Sequence, residues 1–391
     1  MHDEIAKPNI EVQDIFQQFA PVYLQSHRLP LQHLKVASAV SFCRTSKLGA
    51  HTNCCDECGH IRISYNSCRN RHCPKCQGLA KEQWLQDRQQ DLLPVPYFHV
   101  VFTLPDLLNP LVLRNQKLLY DLLFQCVSET LSELAADKKY LGAQIGFTSI
   151  LHTWGQNLID HPHIHCIVPA GGLSFDGLRW VNSRKKFFIP VKVLSKKFRG
   201  KFLYYLKQHY TAGLIGFHGK ISALAKEDVF KALIDQLYDK AWVVYCKKPF
   251  KSPHHVLEYL GRYTHRVAIS NNRLLKIEDG KVTFKWRDYR DKGKQKLMTL
   301  KGNEFIRRFL MHVLPYRFVK IRHFGILSNR NRQGKLLKCK KLTGVNLSSI
   351  SKKLTTAELL LKLTGCDITL CPCCQKGHMK RQTLLPLMAV P

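Results

Sequence analysis

The sequence predicts an α+β fold: a central antiparallel β-sheet flanked by helices, an N-terminal helical and metal-binding module, and a basic C-terminal segment. Three observations predict it. Apolar residues recur at helical spacing near the N-terminus. From residue 97 onward, short β-branched and aromatic runs mix with longer amphipathic stretches, without the strict strand–helix–strand alternation of a parallel sheet. Cysteines gather in Cys-x2-Cys pairs instead of scattering. At 391 residues and 45% hydrophobic content the chain can bury a sizeable core and holds two or three units.

Residues 9–48 read as helices, with Ile15, Phe16, Phe19 and Val22, then Leu31, Leu34 and Val40, on apolar stripes. Residues 51–77 are cysteine-rich and poor in aliphatic core, and a polar helix over 79–93 leads to Pro94 and Pro96. Tyr97–Thr103 is an apolar, aromatic strand ended by Pro105. A long helix over 110–136 follows, then strands at 144–152 and 163–169, the latter closed by Pro169 and Gly171-Gly172. A short strand at Phe187–Ile189, a basic helix over 194–210, a helix over 225–239 and a strand at Ala241–Tyr245 come next. Ser252-Pro253 reads as a helix start, with Ser as N-cap and Pro at the first helical position, opening a helix over 253–267. Asp279-Gly280 joins two strands in a hairpin, followed by a helix over 303–313 and a strand near 317–324. Beyond residue 328 the chain is basic and weakly patterned until Cys371–Cys374. The expected division is 1–93, 94–328 and 329–391.

Charge narrows the function. Lys and Arg number 61 against 28 Asp and Glu, a net charge of +33. That surplus must sit on the surface, where it attracts a polyanion, so the expected partner is nucleic acid. Gly177–Lys226 holds no acidic residue, and Lys285–Lys341 carries 18 basic residues against 3 acidic, so the contact path is long. No apolar run reaches the ~18 residues of a membrane span, and the N-terminus lacks a secretory signal. The expected location is the cytoplasm, where 15 cysteines stay reduced and favour zinc over disulfides.

Cys55-x2-Cys58 and Cys73-x2-Cys76, separated by 14 residues, have close to the spacing of a four-cysteine zinc site. Gly59 and Pro74 suit the tight turns. His51, Cys68 and His72 in the same stretch are candidates for a second zinc. Cys371 and Cys374 lack evident partners; Cys366 and His378 are candidates.

In Asp160–Val168 the histidines lie two apart, so His163 and His165 project from one strand face, and His161 shares their parity. Such a pair suits a divalent ion that polarises a phosphate; the third ligand stays open between His161, His255 and a residue elsewhere. Tyr259 and Tyr263 are one helical turn apart and share a face with Gly261 between them. Two tyrosines so spaced are usually packing residues, but Arg262, His265 and Arg266 give this helix an electropositive setting for phosphate, and Arg262 and Arg266 are the expected DNA contacts. Gly216-Phe-His-Gly-Lys220 lacks the glycine spacing and the Ser/Thr of a phosphate loop.

Taken together, Cys55–Cys76, Val100–Pro105, His161–Gly172 and Tyr259–Ser270, in that order over nearly the whole chain, resemble the two-tyrosine His-hydrophobic-His transposases of bacterial rolling-circle insertion sequences, the IS91 group. The closing Cys371-Pro-Cys-Cys374 is similar to that group's terminal cysteine pair. The resemblance implies a His-hydrophobic-His nuclease core in which His163, His165 and a third ligand hold Mg²⁺ or Mn²⁺ against a scissile phosphate. Tyr259 or Tyr263 then attacks single-stranded DNA at the element ends or target, leaving a 5′-phosphotyrosine and a 3′-OH that primes host replication. The rivals are a plasmid rolling-circle initiator or relaxase with the same chemistry, and a non-catalytic zinc-dependent DNA-binding protein. Oligomeric state is not legible.

Overall fold

A computed structural model describes residues 10–184, 189–250, 255–256, 259, 261, 265, 268–289, 291–345 and 353–382. The fold is α+β, as the sequence predicts. Its centre is a five-stranded antiparallel sheet in the order β12-β4-β5-β3-β8, built from Ile321–Gly325 (β12), Gly146–Trp154 (β4), Asp160–Pro169 (β5), Tyr97–Thr103 (β3) and Val244–Phe250 (β8). Strands β3, β4 and β5 are buried almost throughout, because both faces of the sheet are covered.

One face carries Phe98, Val100, Phe102, Phe147, Leu151, Ile164 and Cys166, in a single core with the helices Gln116–Ala136 (α5) and Val191–Thr211 (α6). Phe198 of α6 meets Phe102 edge-on, the centroids lying 5.1 Å apart, a favoured geometry for aromatic pairs. The expected helix over 110–136 is split at Asn115. There the side chain takes over backbone pairing, accepting from Gly216 N (2.8 Å) and donating to Gly216 O (3.0 Å). That polar clamp anchors the loop after α6.

The opposite face meets a smaller core formed by Leu93, Val95, Tyr97, Ile150, Ile167, Val256, Ile326, Leu336 and Cys339. A separate core joins the N-terminal helices Val12–Ser26 (α1) and Leu31–Phe42 (α2) to the hairpin Leu274–Glu278/Lys281–Asp288 (β9, β10) and the helix Gly302–Met311. Phe16 of α1 packs edge-on against Phe309 at 5.0 Å. The hairpin turn falls at Asp279-Gly280, both with positive φ, as its sequence requires. A further strand, Lys294–Lys301 (β11), extends the hairpin; its exposed charges hide the alternation.

Ala50–Cys55 (β1) and Ile61–Tyr65 (β2) form a small sheet with a third strand from the far end of the chain, Met379–Gln382 (β13), in the order β13-β1-β2. The C-terminal segment also holds helices Leu337–Leu342 and Thr356–Thr364, the second closed by a Thr355/Glu358 capping box. The polar helix after the cysteines is Pro74–Gln89 (α3). No described helix is long and apolar enough to cross a membrane.

Candidate active site and metal centres

Antiparallel register decides which histidines meet. His163 pairs directly with His152, and His165 lies beside Ile150 and Val101, so residues of one parity on three strands share a face. His152, His163 and His165 converge there, each offering a ring nitrogen within 4.8 Å of the others. His99 on β3 is on the same face, its Nε2 2.8 Å from His165 Nδ1, the two rings nearly parallel.

Three features would suit this cluster to a cation. His163 Nδ1 lies 2.6 Å from the His161 carbonyl, which places the proton on Nδ1 and presents Nε2. Burial, together with the neighbouring charges of Lys247 and His163, pushes His99 down to about 3; burial and His161 do the same for His163. His165 also lies well below its ordinary value through burial and the surrounding imidazoles. Imidazoles that are neutral at neutral pH are ligand-ready, and three nitrogen donors suit a borderline divalent ion.

Tyr259 comes to this face from the segment after β8. Its hydroxyl lies 3.2 Å from His99 Nδ1, its ring packs against Phe250 at 5.1 Å, and Lys247 Nζ is 5.9 Å from its ring centre. Gly261 explains the tight approach of this segment, since a Cβ there would stand 2.8 Å from Leu85 of α3. His265 contacts Trp84 on the same helix, centroids 5.8 Å apart.

His161 is exposed and outside the trio; its contribution is the carbonyl that orients His163. His255 is exposed and not in the trio either. Tyr263, Arg262, Arg266, the expected helix start at Ser252-Pro253, and Phe187-Phe188 of the expected short strand lie outside the described residues. Sequence reasoning missed His152 and His99. The available signal was parity: each histidine falls on the same face of its strand once pairing is known.

The cysteines correct the expected grouping. Cys55 and Cys58 do not join Cys73 and Cys76. The first quartet is Cys43, Cys68, Cys73 and Cys76; the second is Cys55, Cys58, Cys371 and Cys374. The physical reason is the β1–β2 hairpin, which turns Cys55 and Cys58 away from the start of α3, where Cys73 is the N-cap residue. Cys43, just beyond α2, fills the place that the spacing had given to the first pair. In the first quartet Cys76 Sγ lies 3.6 Å from the sulfurs of Cys43 and Cys68. Backbone N–H groups of Cys68 and Asn70 donate to the Cys43 and Cys68 sulfurs. In the second, amides of Gly377 and Lys376 hold the Cys374 thiol down to about 6.

Of the candidates for a second zinc, Cys68 belongs to the first quartet. His51 instead pairs with Asn66 at 3.2 Å, and buried His72, pushed to about 3 by burial and then Arg71, accepts from Leu314 N at 3.2 Å. Next to it, Arg71 donates to Phe318 O, so the first quartet is bolted to the loop before β12. Cys366 and His378 are in neither quartet.

Known proteins similar to this chain are transposases. Residues 15–104 match a family model described as "Transposase zinc-binding domain", and residues 146–334 match one described as "Putative transposase". The chain is 48% identical over 379 residues to "Putative transposase y4qJ" of Sinorhizobium fredii, covering 96% of this chain and 95% of that protein. It is 31% identical over 294 residues to "Transposase for insertion sequence element IS801" of Pseudomonas savastanoi pv. phaseolicola, covering 74% of this chain and 68% of that one. No solved structure matches it. Zinc in the first quartet fits both the donor set and the matched zinc-binding domain, which contains all four of its cysteines. With relatives of this kind spanning most of its length, the chain belongs to the IS91-type transposase family.

Proposed function

We propose that this transposase cuts and rejoins single-stranded DNA at the ends of its element and at the target, through a tyrosine nuclease of the His-hydrophobic-His type. The observation that carries the reading is the chain of contacts from Tyr259 through His99 to His165, beside His152 and His163. The net charge of +33 supports a nucleic-acid substrate.

His152, His163 and His165 would hold the divalent ion, Mg²⁺ or Mn²⁺, and their nitrogen donors favour Mn²⁺ of the two. Bound there, the ion supplies Lewis-acid polarisation of the phosphate. Tyr259 Oη attacks phosphorus; the P–O3′ bond breaks as the P–Oη bond forms, giving a 5′-phosphotyrosine and a 3′-oxygen that takes a proton from solvent. For His165 to offer Nε2 to the ion its Nδ1–H donates to His99 Nε2, which puts the His99 proton on Nδ1, where it donates to Tyr259 Oη and stabilises the developing phenolate, and the Tyr259 proton leaves to solvent. Phenolate is a better leaving group than an alkoxide, so the phosphotyrosine retains the energy for rejoining. Tyr263, Arg262 and Arg266 take the roles of second nucleophile and phosphate contacts, and host replication uses the 3′-OH.

Covalent capture tests this. The pure protein is incubated with single-stranded DNA from the flanks of its own gene, with and without Mn²⁺, and run on a denaturing gel. A metal-dependent protein–DNA band that disappears in Tyr259→Phe/Tyr263→Phe is expected. Binding with no adduct on any flanking strand would instead favour the non-catalytic DNA-binding protein.

A further inference from the structure

We propose that Cys55, Cys58, Cys371 and Cys374 hold a second structural zinc, which fastens the far end of the chain to the N-terminal module and thereby braces the helix that carries Tyr259. Two of these ligands lie far beyond residues 15–104, the stretch matched as zinc-binding.

The geometry is that of a closed tetrahedral site. Cys55 Sγ is 3.7 Å from Cys374 Sγ, and Cys58 Sγ is 3.7 Å from Cys371 Sγ. Four sulfurs at the ~2.3 Å zinc–thiolate distance of a tetrahedron stand roughly 3.8 Å apart. Both Cys-x2-Cys turns aim backbone amides at sulfur: Glu57 N and Cys58 N reach Cys55 Sγ at 3.4 and 3.5 Å, and Gly377 N reaches Cys374 Sγ at 3.4 Å. Such donors stabilise the thiolate form that a metal requires. Gly59 supplies the positive φ of the first turn, and a Cβ on Gly377 would stand 2.4 Å from Cys55 Sγ, so only glycine leaves the sulfur room.

The surrounding sheet cannot hold this arrangement unaided. It has three short strands, and Ile61, Ile63 and Tyr65 of β2 are exposed. A sheet that small, with no packed apolar face, needs a staple.

What the staple holds is visible along α3. Lys353 pairs with Asp87 at 2.6 Å, Leu354 N donates to Gln86 Oε1 at 2.9 Å, and Gln86 Nε2 donates to Leu354 O at 3.0 Å. Arg332 reaches Asp91, just beyond the helix. Leu85 and Trp84 of the same helix meet Gly261 and His265. The C-terminal segment and the tyrosine-bearing segment thus share α3 as a common support, and the second zinc closes the far end of that support.

The test measures bound metal by mass spectrometry and backbone hydrogen exchange on the full-length protein. Wild type is expected to carry two zinc ions per chain. Cys371→Ser/Cys374→Ser is expected to carry one, with exchange at least tenfold faster in β1, β13 and residues 353–364, and unchanged around Cys68–Cys76. Cys374→His, which keeps a ligand, should retain two ions, as should Cys366→Ser and Cys373→Ser, whose sulfurs are outside the quartet. In cobalt-substituted protein the thiolate-to-metal absorption should fall by half in the double serine variant. One ion in wild type, two ions retained in the double serine variant, or none in both that variant and Cys374→His would overturn the proposal.

Discussion

On β3, β4 and β5, one set of alternate residues includes Phe98, Val100, Phe102, Leu151, Ile164 and Cys166, while the other includes His99, Ile150, His152, His163, His165 and Ile167. The same three strands thus present a dry face to α5 and α6 and a nitrogen-rich face to the tyrosine segment. The comparison shows how a small β-sheet separates stability from chemistry. Period-two geometry sends each residue to one face or the other, so the rigidity of the first can fix the positions of the second without sharing side chains. Asp160 breaks the pattern. It opens β5 opposite Trp154, beyond an irregularity in the β4–β5 register, is buried at 5% exposure, and burial raises its carboxyl to about 7.

The comparison can be broken from either side. Phe102→Ala should cost about 3–5 kcal/mol of stability, measured by urea unfolding, because a fully buried ring in contact with Phe198 leaves a cavity. Its adduct yield on the covalent-capture gel should stay within a few fold of wild type below the unfolding transition. His163→Ala should do the reverse, lowering the rate of adduct formation at least ~100-fold while leaving the urea midpoint little changed. If both variants lose stability and activity together, the two faces are not separable. Asp160→Asn sharpens the exception. A carboxyl whose folded pKa lies above its unfolded value has no cost below about pH 4. Its destabilisation grows as pH rises and is complete above about 7. The variant should therefore gain about 1–3 kcal/mol at pH 8 and almost nothing at pH 4. A gain independent of pH would mean that Asp160 is not a buried titrating group.

Much of this architecture is legible in the residues themselves. Tyr97–Thr103 has the predicted strand bounds, the Asp279-Gly280 hairpin forms where its turn chemistry places it, and His163 and His165 share a face as their spacing requires. What the sequence hides is pairing between distant elements. His152 stands in Leu151-His-Thr-Trp154 with no motif around it, and it becomes a neighbour of His163 only through the register of β4 on β5. Cys43 is a lone cysteine after a helix, and nothing local links it to Cys76, 33 positions away. The Cys-x2-Cys spacing pointed to the right ligand type but to the wrong quartets, because spacing says which thiols form a turn and not which turns meet. The stretch after residue 328 is weakly patterned because its helices and β13 settle on surfaces supplied by other parts of the chain, such as α3 and β1.

The pairing of β1 with β13 has a consequence for how the molecule is made. Cys55 leaves the ribosome more than 300 residues before Met379, its register partner. At bacterial synthesis rates of about 5–20 residues per second, that edge waits on the order of tens of seconds with an unfilled hydrogen-bonding row. Contacts of such sequence separation are also slow to close once the chain is free. The small sheet therefore depends on late synthesis: a chain cut short before residue 371 keeps an open strand edge and the Cys55 and Cys58 thiols without their partners, open to aggregation and oxidation, whereas a chain that extends through Gln382 covers both with β13.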